Sequence, residues 1–186
     1  MKTLEIVGFK RTELGKKNAK NLRNEGMVPC VMYGAGQQVH FAVPMILFRP
    51  LVYTSDVHMV ELNIEGDIHK AILQDIQFHP VSEMIMHADF LKLQDHKPVK
   101  MNIPVRLKGT AIGVQKGGKL VMKLPKVRVQ ALPAYLPDYV ELDVTNLDLG
   151  KSARVRDITT NNFTILTDGQ VTVATVAIPR ALRVTK

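Results

Sequence analysis

Between Leu73 and Leu93 the chain reads LQDIQFHPVSEMIMHADFLKL, with polar residues at places that a strand or core would normally fill with apolar ones. Gln77, His79, His87 and Asp89 stand among Ile76, Phe78, Ile85, Met86, Ala88 and Phe90. An extended backbone sends successive side chains to opposite faces. His87 and Asp89 then share one face, and Met86, Ala88 and Phe90 share the other. The pattern predicts a strand that packs on one side and presents a reading surface on the other.

The same two-residue period recurs along the chain. Leu4, Ile6 and Phe9 with Val7 predict a first strand, and Val28 to Tyr33 and Val39 to Val43 predict two more around Gly34-Ala35-Gly36. Val60, Leu62 and Ile64 alternate before the turn chemistry of Glu65-Gly66-Asp67, and Ile68 to Ile76 returns as the second arm of a hairpin. Lys16 to Glu25 reads as a short helix closed by Gly26 with Pro29 soon after. A second helix is expected from Pro44 towards Thr54, limited by Pro50. The second half is Val-rich, with short strands expected at Val99 to Leu107, Leu120 to Val129, Tyr139 to Val144, Phe163 to Leu166 and Val171 to Ile178. Regular punctuation by Gly109, Gly117-Gly118, Pro133, Pro137 and Asp168-Gly169 argues an all-β domain there.

Charge divides the chain in two. Residues 1–94 carry ten Lys or Arg against ten Asp or Glu, whereas residues 95–186 carry fifteen against seven, so the whole net charge of +8 lies in the second half. The polar run Gln94-Asp95-His96-Lys97-Pro98 is the expected boundary between domains 1–94 and 95–186, each large enough for a modest core. A pI of about 9.6 points to an anionic partner, nucleic acid above all. From His96 to Pro137 nine Lys and Arg occur without one acid, which suggests a second contact with an anionic neighbour. Cys30 is the sole cysteine, so no intrachain disulfide or thiolate cluster exists, and its setting reads as a packed strand. The opening residues form no signal peptide and no stretch approaches a membrane span, so the expected location is cytoplasmic.

Three constellations bear on chemistry. Lys16, Lys20 and Arg23 lie at i, i+4 and i+7 of the predicted helix, a basic stripe suited to phosphates, with Ala19 and Leu22 able to dock on a core. Gly113 to Lys119 spells G-x-x-x-x-G-K, but Leu120 follows where a nucleotide site needs Ser or Thr, and a basic glycine-rich hairpin loop describes it better. His79, His87 and Asp89 have ligand chemistry, yet their spacing matches no helical metal motif and no hydrolase elbow accompanies them. No metal or other cofactor and no enzymatic activity are therefore expected. His, Gln and Asp can instead hydrogen-bond base edges and ribose hydroxyls in the shallow groove of structured RNA.

Arg11, Gly15-Lys16, Ala19, Leu22-Arg23, Gly26, Pro29, Tyr33-Gly34, Gln77, His79-Pro80 and His87-Ala88-Asp89-Phe90 together resemble the bacterial large-subunit ribosomal protein L-twenty-five family. Pro104-Val105, Gly109, Gly113, Gly117-Gly118, Pro137, Leu147, Gly150 and Asp157 resemble the added domain of its long, CTC-type form. The resemblance implies a mainly β protein, a small N-terminal β-barrel with a few helices followed by an all-β domain. It also implies 5S rRNA binding around loop E, in the central protuberance of the large ribosomal subunit. It gives Arg11, Lys16, Lys20 and Arg23 the role of backbone contacts, and Tyr33, Gln77, His87 and Asp89 that of the groove-reading surface. Neighbouring ribosomal proteins are the further partners expected for the C-terminal domain. The chain departs from the family at two places, with Lys20-Asn21 where an Arg pair is frequent and Phe78 where Arg is frequent. The alternatives are a stress-related, chaperone-like protein-binding module and a metal-dependent hydrolase built on His79, His87 and Asp89.

Overall fold

The computed structural model describes residues 2–179 and divides into two compact units, Met1–Lys97 and Pro98–Lys186. Lys97 N donates to the Gln94 carbonyl at 3.1 Å, so the polar run between the units forms a turn.

The first unit is a closed six-stranded barrel. Its strands are β1 (Lys2–Lys10), β2 (Met27–Gly34), β3 (Gln37–Pro44), β4 (His58–Ile64), β5 (Asp67–Phe78) and β6 (Ile85–Lys92), joined in the order β1-β3-β2-β6-β5-β4, with β4 closing in parallel onto β1. Closure leaves these strands without an open edge. Every second residue points inward, and Ile6, Val28, Cys30, Met32, Phe41, Val43, Val60, Leu62, Ile64, Ala88 and Phe90 are buried. The Phe90 ring lies 5.8 Å from that of Phe41 and 6.2 Å from that of Phe48, both tilted. Each such ring contributes about 1.5–3 kcal/mol by burial. Gly8 makes room for them, since a Cβ there would lie 2.7 Å from the Phe41 ring.

Helix α1 (Lys16–Asn24) starts after Gly15 and stops at Gly26, whose φ of 76° ends it in the left-handed region. Ala19, Leu22 and Arg23 are half-buried, and Lys16, Lys17, Lys20 and Asn21 are exposed. The helix packs on β2. The segment after Pro44 forms a 3-10 turn, Met45–Phe48, and one helical turn, α2 (Arg49–Val52), which sends Phe48 into the core.

The second unit is also mostly strand. A four-stranded sheet has the order β10 (Val140–Asp143), β7 (Val99–Lys108), β9 (Lys126–Ala131), β12 (Thr164–Ile165), and a three-stranded sheet the order β11 (Ser152–Arg154), β13 (Thr172–Ala177), β8 (Lys119–Met122). Ile103, Val127, Val129, Leu142, Val173 and Val176 are fully buried. The strand expected from Leu120 to Val129 is two strands in different sheets, divided at Lys123-Leu124-Pro125, where proline cannot donate to a ladder.

The glycine-rich segment is not the pliable hairpin loop expected from sequence. Ile112–Gln115 forms a helical turn, α3, and Gly118 N donates to the Gly113 carbonyl at 2.8 Å. A Cβ at Gly113 would meet the Asp148–Leu149 backbone at 2.7 Å, and one at Gly118 would meet Val176 at 2.5 Å. These glycines permit close packing within the unit. Lys116 is likewise engaged, with its Nζ 3.0 Å from Asp148 Oδ1. The segment therefore lacks the freedom to mould itself to a phosphate backbone.

Candidate nucleic-acid interface

Strand register sets the expected reading residues in rows on the outer face of the barrel. Asp89 pairs with Asp75 of β5 and with Val31 of β2, and Val31 pairs with His40 of β3. Arg11, just past β1, donates its backbone N–H to the His40 carbonyl at 2.9 Å. The row thus runs Arg11, His40, Val31, Asp89, Asp75. Gln77 lies opposite His87 in the next row, and Tyr33 lies opposite Leu91 on the other side.

Two bulges create this arrangement. The β5–β6 register slips between Leu73 and Asp75, and again between Gln77 and Phe78, where Met86 is the extra residue of β6. Strict alternation from Leu73, which packs on the core, would turn Asp75 inward; the extra residue Gln74 turns it out, beside Asp89. The second slip corrects the sequence expectation for Met86. It is half-buried off the core face, and Ile85 takes the core position instead.

Within the rows His87 Nδ1 lies 2.7 Å from Asp89 Oδ1, with both side chains 31% exposed. Donation from Nδ1 to the carboxylate fixes the ring and leaves Nε2 for another partner. Partial burial, then the Asp89 and Asp75 carboxylates, hold the Tyr33 phenol above its ordinary pKa. Asp89→Asn should therefore lower the midpoint of Tyr33 while leaving it above the ordinary value, as read from the ring signals of Tyr33 in an NMR titration. An unchanged midpoint would separate Tyr33 from the carboxylates. Burial, and secondarily Asp89, push the Cys30 thiol up, with Arg11 opposing; its Sγ lies 3.3 Å from the Val28 carbonyl, a packed thiol.

The basic residues flank these rows from α1. Lys16 and Lys20 are exposed, but Arg23 is half-buried and donates from Nε to the Met86 carbonyl at 3.0 Å. It ties the helix to β6 one residue before His87. Arg11 Nη2 donates to Asn18 Oδ1 at 3.2 Å, which orients it against the same helix. Its Nε is buried with no hydrogen-bond partner among the described residues. The acids of the barrel lie only in part away from these rows. Glu61 belongs to β4, Glu65 to the β4–β5 turn and Asp67 to the start of β5, and the β4–β1 seam lies across the barrel from the β2–β6 pair. Asp75 and Asp89 are the exceptions.

His79 has a local structural partner. Its Nδ1 accepts from the backbone N–H groups of Val81 at 3.3 Å and Ser82 at 3.2 Å, so it closes the β5–β6 turn. Among the described residues no three His, Cys, Asp or Glu side chains are grouped to hold an ion. His40 and Asp75 are members that sequence reading missed, Asp75 because a bulge has no signature in the period-two pattern.

Residues 6–90 match the Ribosomal L25p family, and residues 98–180 match the C-terminal domain of ribosomal protein TL5. The chain is 52% identical over 183 residues to the large ribosomal subunit protein bL25 of Cytophaga hutchinsonii, covering 98% of this chain and 95% of that protein. The chain belongs to the bL25 family. The bL25 proteins of Amoebophilus asiaticus and Phocaeicola vulgatus are 49% and 42% identical, each across 98% of this chain and 93% and 96% of their own lengths. Both parts of the chain are matched, so it is the long, two-domain form of bL25. The bL25 family is structural and not enzymatic.

Proposed function

We propose that the protein is a structural constituent of the large ribosomal subunit that binds 5S rRNA through its N-terminal barrel. The observation that carries this reading is the continuous outer row Arg11, His40, Val31, Asp89, Asp75, with Gln77 and His87 beside it and helix α1 alongside. An A-form duplex offers 2′-hydroxyls and base edges in a wide, shallow minor groove, and carboxylate, imidazole and amide groups can bond to both. Lys16, Lys20 and Arg23, with Arg11, serve the phosphates that flank such a groove. Tyr33, Gln77, His87 and Asp89 read the groove, joined by Asp75.

Replacing Lys16 and Lys20 together by Ala in the full chain tests the division of roles. The slope of affinity against salt should fall by about 1.4–1.8, two contacts at ~0.7–0.9 each, while preference for 5S rRNA over an unrelated RNA is kept. A wild-type slope in the double variant would take the helix out of the phosphate contact.

A further inference from the structure

The barrel carries a second exposed surface, where β1, β4 and β5 meet. Register places Val7 of β1 beside Asn63 of β4, and Asn63 beside Ile68 of β5, with Phe9 two residues along β1 on the same side. Val7 is 45%, Phe9 54% and Ile68 68% exposed, though each sits in regular strand and none serves the core. The adjoining row is Glu5, Glu61, Lys70, and the β4–β5 turn adds Glu65. An apolar strip is thus bordered by three carboxylates and one ammonium.

We propose that this face docks a cationic segment of a neighbouring protein, one that alternates Lys or Arg with aliphatic side chains. The strip supplies apolar contact, and its acidic rim complements such a segment while repelling RNA phosphates. A second copy of this chain is a poorer occupant, because a two-fold contact would set the carboxylates against their own mates. The barrel is closed, so the partner contacts side chains and does not add as a strand. This inference rests on the ribosomal reading, since the large subunit is where the neighbour is met.

The test uses the full chain and two variants, Ile68→Glu and the charge reversal Glu61→Lys with Glu65→Lys. Each is measured for retention on purified large subunits in a salt wash and for affinity to isolated 5S rRNA. Both variants should lose retention by about tenfold while 5S rRNA affinity stays at the wild-type level, which also shows that they fold. A photo-crosslinker at position 68 in assembled subunits should capture a ribosomal protein through a peptide rich in Lys or Arg. Equal retention of all three chains overturns the surface, as does a crosslink to rRNA or to a second copy of the chain. Failure of the wild-type chain itself to stay on the subunits overturns the ribosomal reading instead.

Discussion

Arg23→Ala will lower affinity for 5S rRNA by about 2–3 kcal/mol, roughly 30- to 150-fold, because the residue does two things. Its Nε holds the Met86 carbonyl at 3.0 Å and so fixes α1 against β6 beside His87. In the proposed complex its remaining guanidinium nitrogens serve the phosphates. Loss of the charge flattens the salt slope, and loss of the anchor loosens the His87 row, so preference for 5S rRNA declines as well. Arg23→Lys separates the two, since an ammonium keeps the charge but cannot reproduce the guanidinium fork. It should restore the slope and leave the preference impaired. Full recovery of both by Lys would show that the anchor does not matter to recognition.

Phe90→Ala will have the largest effect on stability. The ring is fully buried between Phe41 and Phe48, and truncating such a residue costs about 3–5 kcal/mol. Domains of this size hold only about 5–15 kcal/mol in reserve, so the barrel should unfold at a much lower denaturant concentration. Because Phe90 follows Asp89 on β6, RNA affinity should fall only by the fraction unfolded and recover under stabilising conditions. A loss below about 1 kcal/mol would contradict the packing described for this core.

The period-two pattern made most of the fold legible. It predicted β1, β2, β3 and the β4–β5 hairpin within a residue or two and an extended strand through His87 and Asp89, and Gly26 marked the end of α1 because few other residues reach its backbone conformation. Three features lay beyond its reach. Bulges at Gln74 and Met86 shift which residues face outward, and each depends on a partner strand that periodicity does not see. Arg23 looked like the third member of a solvent stripe, because helical spacing cannot show that β6 offers a carbonyl to its Nε. The glycines of residues 113–118 looked pliable, whereas they are the price of close contact with Asp148, Leu149 and Val176, residues distant in sequence. The acid-free run from His96 to Pro137 remains a motive for a second anionic contact, but the Lys116 ion pair with Asp148 makes that loop a poor place for it.

Equilibrium binding of the full chain to 5S rRNA and to an unrelated RNA of equal length, for wild type and His87→Ala across a salt series, tests the central claim most directly. The wild-type chain should prefer 5S rRNA at every salt concentration, with a slope of about three to four from Arg11, Lys16, Lys20 and Arg23. His87→Ala should narrow that preference by about 1–2 kcal/mol while keeping the slope, because it removes a groove contact and no phosphate contact. Equal wild-type affinity for the two RNAs would contradict the account, however strong the binding.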